Sequence, residues 1–311
     1  DISIAFNNTG SVLVSGGALL LTGGFTNFSG TTLTGGAIEV QGASSLRFTG
    51  ANVVTNASSI TLDGAGSGLL NASGGSNGLA NFASNTGAGS FTIRNGRDFT
   101  TAGAFGNAGL VTVGTASTFT GSGAFTNQAS GTLQLAGGSG TATSLANAGS
   151  VNGFGNLGVL VQNSGQVQAS GGTLAANGGV QGAGGSVLID SGASLNLSAS
   201  AVASSALLLA DAGSLALGTQ AFNVFGDYSN TSFGNGNSFN ARAGVSGSGQ
   251  IVGVNADMSL TGQVASAGAN VYTLDLGNVR GGSTVTRSFQ VANSGTGASL
   301  RGALQTGGAG Q

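Results

Sequence analysis

Apolar residues along this chain come in short runs in which every second position is apolar and the residues between are mostly Thr, Asn, Gln or Glu. Val12-Leu13-Val14, Ile38-Glu39-Val40, Ile60-Thr61-Leu62, Val111-Thr112-Val113, Leu133-Gln134-Leu135 and Leu195-Asn196-Leu197 mark the rhythm. A period of two is that of a β-strand with one buried side. Glycine pairs separate the early runs, at Gly16-Gly17, Gly23-Gly24 and Gly35-Gly36. They supply corners that a strand can turn without a long loop. Helical periodicity is nearly absent; the Ala-rich stretch Ala201–Leu209 is the one segment that reads as a short helix.

The runs repeat. Phe105-Gly106-Asn107-Ala108-Gly109-Leu110-Val111 returns as Phe125-Thr126-Asn127 with Gly131-Thr132-Leu133, and again as Leu145-Ala146-Asn147-Ala148-Gly149-Ser150-Val151. Asn107, Asn127 and Asn147 are evenly spaced, and the same interval separates Asn7 from Asn27 and Phe99-Thr100 from Phe119-Thr120. A fixed period of about 20 residues is the signature of a solenoid whose repeats bury their apolar sides only against one another. The expected fold class is therefore all-β: a parallel β-solenoid, or β-helix, with three short strands and three corners per turn. Residues 1–260 would give about 12 or 13 turns and a rod of roughly 60 Å at ~4.8 Å per turn. The repeated asparagines would form a structural ladder, each amide bonding the ones above and below.

Three stretches depart from the phrase. Residues 64–90, with Gly-Ala-Gly-Ser-Gly at 64–68, read as a weaker turn with a protruding loop. Ala221–Asn240 holds Phe222, Phe225, Tyr228, Phe233 and Phe239, the composition of a wider turn or an end cap. The last segment, 265–311, carries two longer alternating strands, 269–279 and 285–295, around the polar turn Arg280-Gly281-Gly282-Ser283-Thr284. It reads as the opening of an immunoglobulin-like sandwich, far short of the roughly 100 residues such a domain needs. Either the chain is cut there or a neighbouring subunit supplies the missing strands. Val271, Leu274, Leu276, Phe289 and Val291 would then form a candidate assembly segment for strand addition between subunits.

Composition narrows the chemistry. The 311 residues include 62 Gly and no Pro, Cys or His, all seven basic residues are Arg, and charged residues make up 5%. A net charge of −2 with dispersed arginines leaves no footprint for nucleic acid. No apolar run approaches the ~18 residues of a transmembrane helix. The nine acidic residues are scattered; Asp190 and Asp211, separated by close to one repeat, are the one pair that neighbouring turns might bring together. Serine and threonine abound, but no base is placed to activate them. Glycine triples such as Gly121-Ser122-Gly123 have no helix after them and are not phosphate loops. The calcium-binding nonapeptide pattern is absent. Thr-x-Thr columns of the kind an ice-binding face needs are rare, as at Thr141-Ala142-Thr143. No enzyme activity, cofactor or metal is expected.

The run Leu274–Gly297 resembles the immunoglobulin-like modules of bacterial choice-of-anchor D proteins. Leu276-Gly277, Val279, Gly282-Ser283, Phe289, Val291, Asn293 and Gly295 carry the likeness, with Leu276 where those modules have Phe. Residues 1–260 resemble the Gly/Asn/Thr-rich β-helical regions of autotransporter passengers and large surface adhesins. Together these resemblances imply a protein secreted to, or held at, the surface of a Gram-negative bacterium, associated with the outer membrane or cell surface. They supply no catalytic residues. The expected role is structural, a self-assembling subunit of an extracellular fibre or biofilm matrix whose partner is its own kind. The alternatives are an adhesin rod that binds host or neighbouring cells and, third, a polysaccharide-acting β-helix enzyme.

Overall fold

The computed structural model describes residues 1–182 and 184–197 and, beyond them, 202–204, 206–209, 213–217, 219, 222–224, 228–230, 245–246, 251–252, 258–262, 264–268, 271–274, 289–293 and 300–301. Among the described residues there is no helix. The chain winds as a parallel β-solenoid with three strand-bearing faces. The first face stacks Phe105–Asn107, Ala124–Asn127, Ser144–Asn147, Val161–Asn163 and Val180–Gln181 in register. The second stacks Ser11–Val14 on residues 37–40, then 59–62, Ser90–Arg94, Leu110–Gly114 and onward to Ser186–Ile189 and Ala206–Leu209. The third carries Phe99–Thr100 and Thr118–Thr120, then the far halves of Thr132–Thr141 and Ser150–Leu157.

Those long strands serve two faces because they bend within themselves. Thr132–Thr141 bends at Gly137-Gly138, where Gly137 has φ +91°, a conformation side-chain-bearing residues rarely adopt. Register then fixes the core. Ile38, Ile60, Phe91, Val111, Leu133, Val151, Val167, Val187 and Leu207 lie one above the next on the second face, all buried. A slip of one residue would turn that whole column outward. Phe82, Phe91, Phe99, Phe105, Phe119 and Phe125 pack across the interior with ring centroids 5.0–5.8 Å apart. Such edge and tilted contacts add about 0.5–1.5 kcal/mol per pair beyond area burial.

Turn length is not uniform. Measured between equivalent corners at Asn8, Asn27, Asn56, Asn85, Asn107, Asn127, Asn147, Asn163 and Gly182, the eight turns span 19, 29, 29, 22, 20, 20, 16 and 19 residues. The expected period holds only from Asn107 to Asn147. In the first of the two long turns the surplus is a small antiparallel hairpin, Phe28 opposite Leu33, closed through Gly30. In the second it is residues 72–82, which begin as the loop the glycine-rich sequence suggests, a hairpin closed by Asn71 N–H donating to Ser76 O with Ser73, Gly74, Ser76 and Asn77 exposed, but do not stay outside. Leu79 and Phe82 return to the interior, each 1% exposed, and Phe82 enters the aromatic core. The segment also separates the third face's Ala18–Leu21, Ser45–Phe48 and Gly68–Asn71 from its later strands.

The stretch read as a short helix, Ala201–Leu209, contributes two strands, Val202–Ser204 and Ala206–Leu209. The latter stacks residue for residue on Ser186–Ile189, so pairing with an existing sheet edge overrides alanine's helical preference. Of the expected aromatic turn, Phe222 is buried in a strand that pairs with Val202–Ser204, and Tyr228 stands opposite Leu207. Phe225, Phe233 and Phe239 lie outside the described residues. Parallel pairing continues to Ile251–Val252. Beyond it two ladders are antiparallel, Met258–Gly262 with Phe289–Asn293 and Val264–Gly268 with Val271–Leu274, while Leu300–Arg301 pairs in parallel with Tyr228 and Ser229. Most of the expected sandwich module lies outside the described residues.

Candidate functional site

The most ordered chemistry in the molecule is a buried column of asparagines at the corner between the first and second faces. Each ends a first-face strand with its side chain turned inward. Asn56 Nδ2 donates to Asn85 Oδ1 at 2.9 Å, Asn85 to Asn107 at 2.9 Å, Asn107 to Asn127 at 2.8 Å, Asn127 to Asn147 at 2.7 Å and Asn147 to Asn163 at 2.8 Å. The same amide groups donate to the carbonyl that opens the second-face strand of the next turn: Ser90, Leu110, Thr132, Ser150, Gln166 and, from Asn163, Ser186. This second set fixes which end of each amide is nitrogen, because a carbonyl accepts and cannot donate. The ladder therefore runs one way, with every Nδ2 directed toward the later turns.

Glycine makes the column close enough to bond. A Cβ added to Gly109, Gly131, Gly149 or Gly165 would sit 2.1–2.3 Å from a backbone oxygen of an earlier turn. None of these four has a positive φ, so close approach and not backbone twist demands glycine there. At its end the ladder meets Gly182, in register after Val180 and Gln181, where no amide is available to continue it. At its start, the residue in register with Asn56 is the apolar Leu33. Ser58 bridges the gap, with its hydroxyl donating to Gly35 O at 2.8 Å or Gly36 O at 3.0 Å. The pair before the gap bonds differently: Asn27 Oδ1 accepts the Asn8 backbone N–H at 2.6 Å, and Asn27 Nδ2 donates back to Asn8 O. The regular spacing pointed to Asn7 as the partner of Asn27. Asn7 is exposed; Asn8 is the buried partner, because an alternating strand turns only one of two adjacent residues inward.

Charged groups gather at one place that the sequence did not mark. Arg94 Nε donates to Asp63 Oδ2 and its Nη2 to Glu39 Oε1, both at 2.8 Å. Gln41 and Asn95 donate to the same two carboxylates. The three charges come from consecutive turns, with Asp63 and Glu39 preceding Arg94 by 31 and 55 residues, so no uniform period would align them. Burial holds the nearby Arg97 guanidinium below its ordinary pKa, partly offset by the adjacent Asp98. Asp190 accepts both its hydrogen bonds from Gln168 at 2.9 Å. Asp211, the other member of the expected carboxylate pair, lies outside the described residues. Among the described residues no three His, Cys, Asp or Glu side chains stand close enough to hold a metal, and no helix is long and apolar enough to cross a membrane.

Of the candidate assembly segment, Leu274 stands opposite Val264, Val271 opposite Gly268, Phe289 opposite Gly262 and Val291 opposite Leu260. In these ladders the two long strands pair with earlier strands and not with one another. Leu276 lies outside the described residues. Comparison of the chain with protein-family models, curated proteins and solved structures returns no match.

Proposed function

We propose that this protein is a non-enzymatic structural rod of the bacterial cell surface, built into a fibre or matrix by association with further copies of itself. One observation carries the reading. Ile4 and Leu13, beside and within the strand Ser11–Val14 of the parallel sheet, are large apolar residues that are 75% and 58% exposed. Large apolar side chains turned to solvent beside a parallel sheet favour association with another surface unless charge or proline stands in the way. This chain contains neither Pro nor Lys. The interior supports the same role, since its asparagines are committed to one another and to the backbone, stiffening the rod and leaving them no capacity for a reaction. The surface location rests on the resemblances described above.

Negative-stain electron microscopy of the purified chain tests the proposal. Filaments with a regular axial repeat are expected, and Leu13→Lys together with Ile4→Lys shortens them to single particles. Isolated short rods from the unaltered chain overturn self-assembly and favour the adhesin alternative.

A further inference from the structure

We infer that a groove on the first face, across the turns of Asn127, Asn147 and Asn163, is a binding site for a neutral glycan. This inference does not depend on whether copies of the chain assemble. The groove is shallow and open to solvent, with about 410 Å³ of space along it. The turn from Asn147 to Asn163 is the shortest, at 16 residues against 20 in the turn before it. The lining positions that would fill the hollow are small: Ala146, Ala148, Gly182 and Gly184. The groove crosses four consecutive turns, a length of roughly 14 Å at ~4.8 Å per turn, enough for a short oligosaccharide segment.

Chemistry selects the class of ligand. The rim carries the Thr126 hydroxyl, the Gln162 amide and the Ser164 hydroxyl, all exposed. Thr126 and Gln162 each offer both a donor and an acceptor, as a sugar hydroxyl does, and Ser164, whose hydroxyl donates to Asn147 O at 3.2 Å, offers an acceptor. Among the described residues neither the Thr126 nor the Gln162 side chain is engaged in a hydrogen bond. Among the described residues that line the groove none is charged, aromatic or a large aliphatic, so these offer hydrogen bonds and not an ion pair or an apolar anchor. The small side chains of the floor leave room for the C–H face of a sugar ring. Directly behind it the ladder amides of Asn127, Asn147 and Asn163 are locked in place, so the site is organised before a ligand arrives.

The test uses the full chain and uncharged hexasaccharides of glucose and mannose (cello-, malto-, laminari- and mannohexaose), with polygalacturonate as an acidic control. Binding is read by saturation-transfer difference NMR and calorimetry. At least one neutral hexasaccharide is expected to bind and polygalacturonate is not. Gln162→Ala should weaken binding by up to about tenfold, the effect of one hydrogen bond. Ala146→Trp, at an exposed outward position where the fold tolerates bulk, should abolish it while the far-ultraviolet circular dichroism stays unchanged. Failure of all four neutral probes, equal binding by the Ala146→Trp variant, or preference for polygalacturonate would each overturn the inference.

Discussion

The turns from Asn107 to Asn147 and those from Asn27 to Asn85 solve one problem in two ways. The first pair keeps one constant period, and every strand lies on its counterpart. The second pair uses 29 residues per turn and places the surplus in different spots, a hairpin at 28–33 in one and residues 72–82 in the other. In both regions the second-face column of buried aliphatics and Phe91 stays in register. The comparison teaches that the winding is pinned along one face and its adjoining corner and is free in length elsewhere. Where the free part is long it must find its own core contact, as Phe82 does; where it is short the neighbouring Phe119 and Phe125 suffice.

The sharpest way to break the regular region is Asn127→Ala. It strips the donor from Ser150 O and Asn147 Oδ1 and the acceptor from Asn107 Nδ2, the first bond part-buried and the other two buried. At about 1–3 kcal/mol for each of these three groups, the loss is about 3–9 kcal/mol. Hydrogen exchange should quicken from Asn85 to Asn163 and stay unchanged in Ala18–Leu21 and Ser45–Phe48, which lie beyond the gap at Leu33. Uniform quickening along the rod would show that the two regions are one cooperative unit. The long-turn region is broken instead by Phe82→Ala, expected to cost about 3–5 kcal/mol. Its signature in urea unfolding is early loss of the turns around residues 68–99 while the later ladder persists. The smallest effect belongs to Arg94→Ala. Its two ion pairs are partly exposed, with the Arg94 side chain at 43%, so the expected loss is about 1 kcal/mol or less. A loss several times larger would mean that Arg94 ties the long turns together as firmly as the amides tie the regular ones.

Much of this was legible in the sequence, and the reasons are local. Alternation marked the strands, and identical spacing of Phe99 with Phe119 and of Asn107 with Asn127 placed them in register, because a column needs like residues at like positions. What escaped was set by length and by parity. Asn7 and Asn8 are indistinguishable by composition, and only the corner geometry decides which faces inward. Phe82 sits in a glycine-rich stretch whose composition describes its tip and conceals its return to the core. Glu39, Asp63 and Arg94 meet only if both intervening turns are given their true lengths. The open groove left no mark either, since its lining is drawn from small residues on separate turns.

The one-way ladder has a further consequence. Six carboxamides held nose to tail in a dry interior add their dipoles, and each bond polarises the next. The sum gives the rod an electrical axis, with its positive pole toward the later turns, as a helix acquires one from its aligned peptides. A particle with such an axis distinguishes its two ends even where its surface carries almost no charge. Two of them placed in line gain when positive pole follows negative and lose when like poles meet.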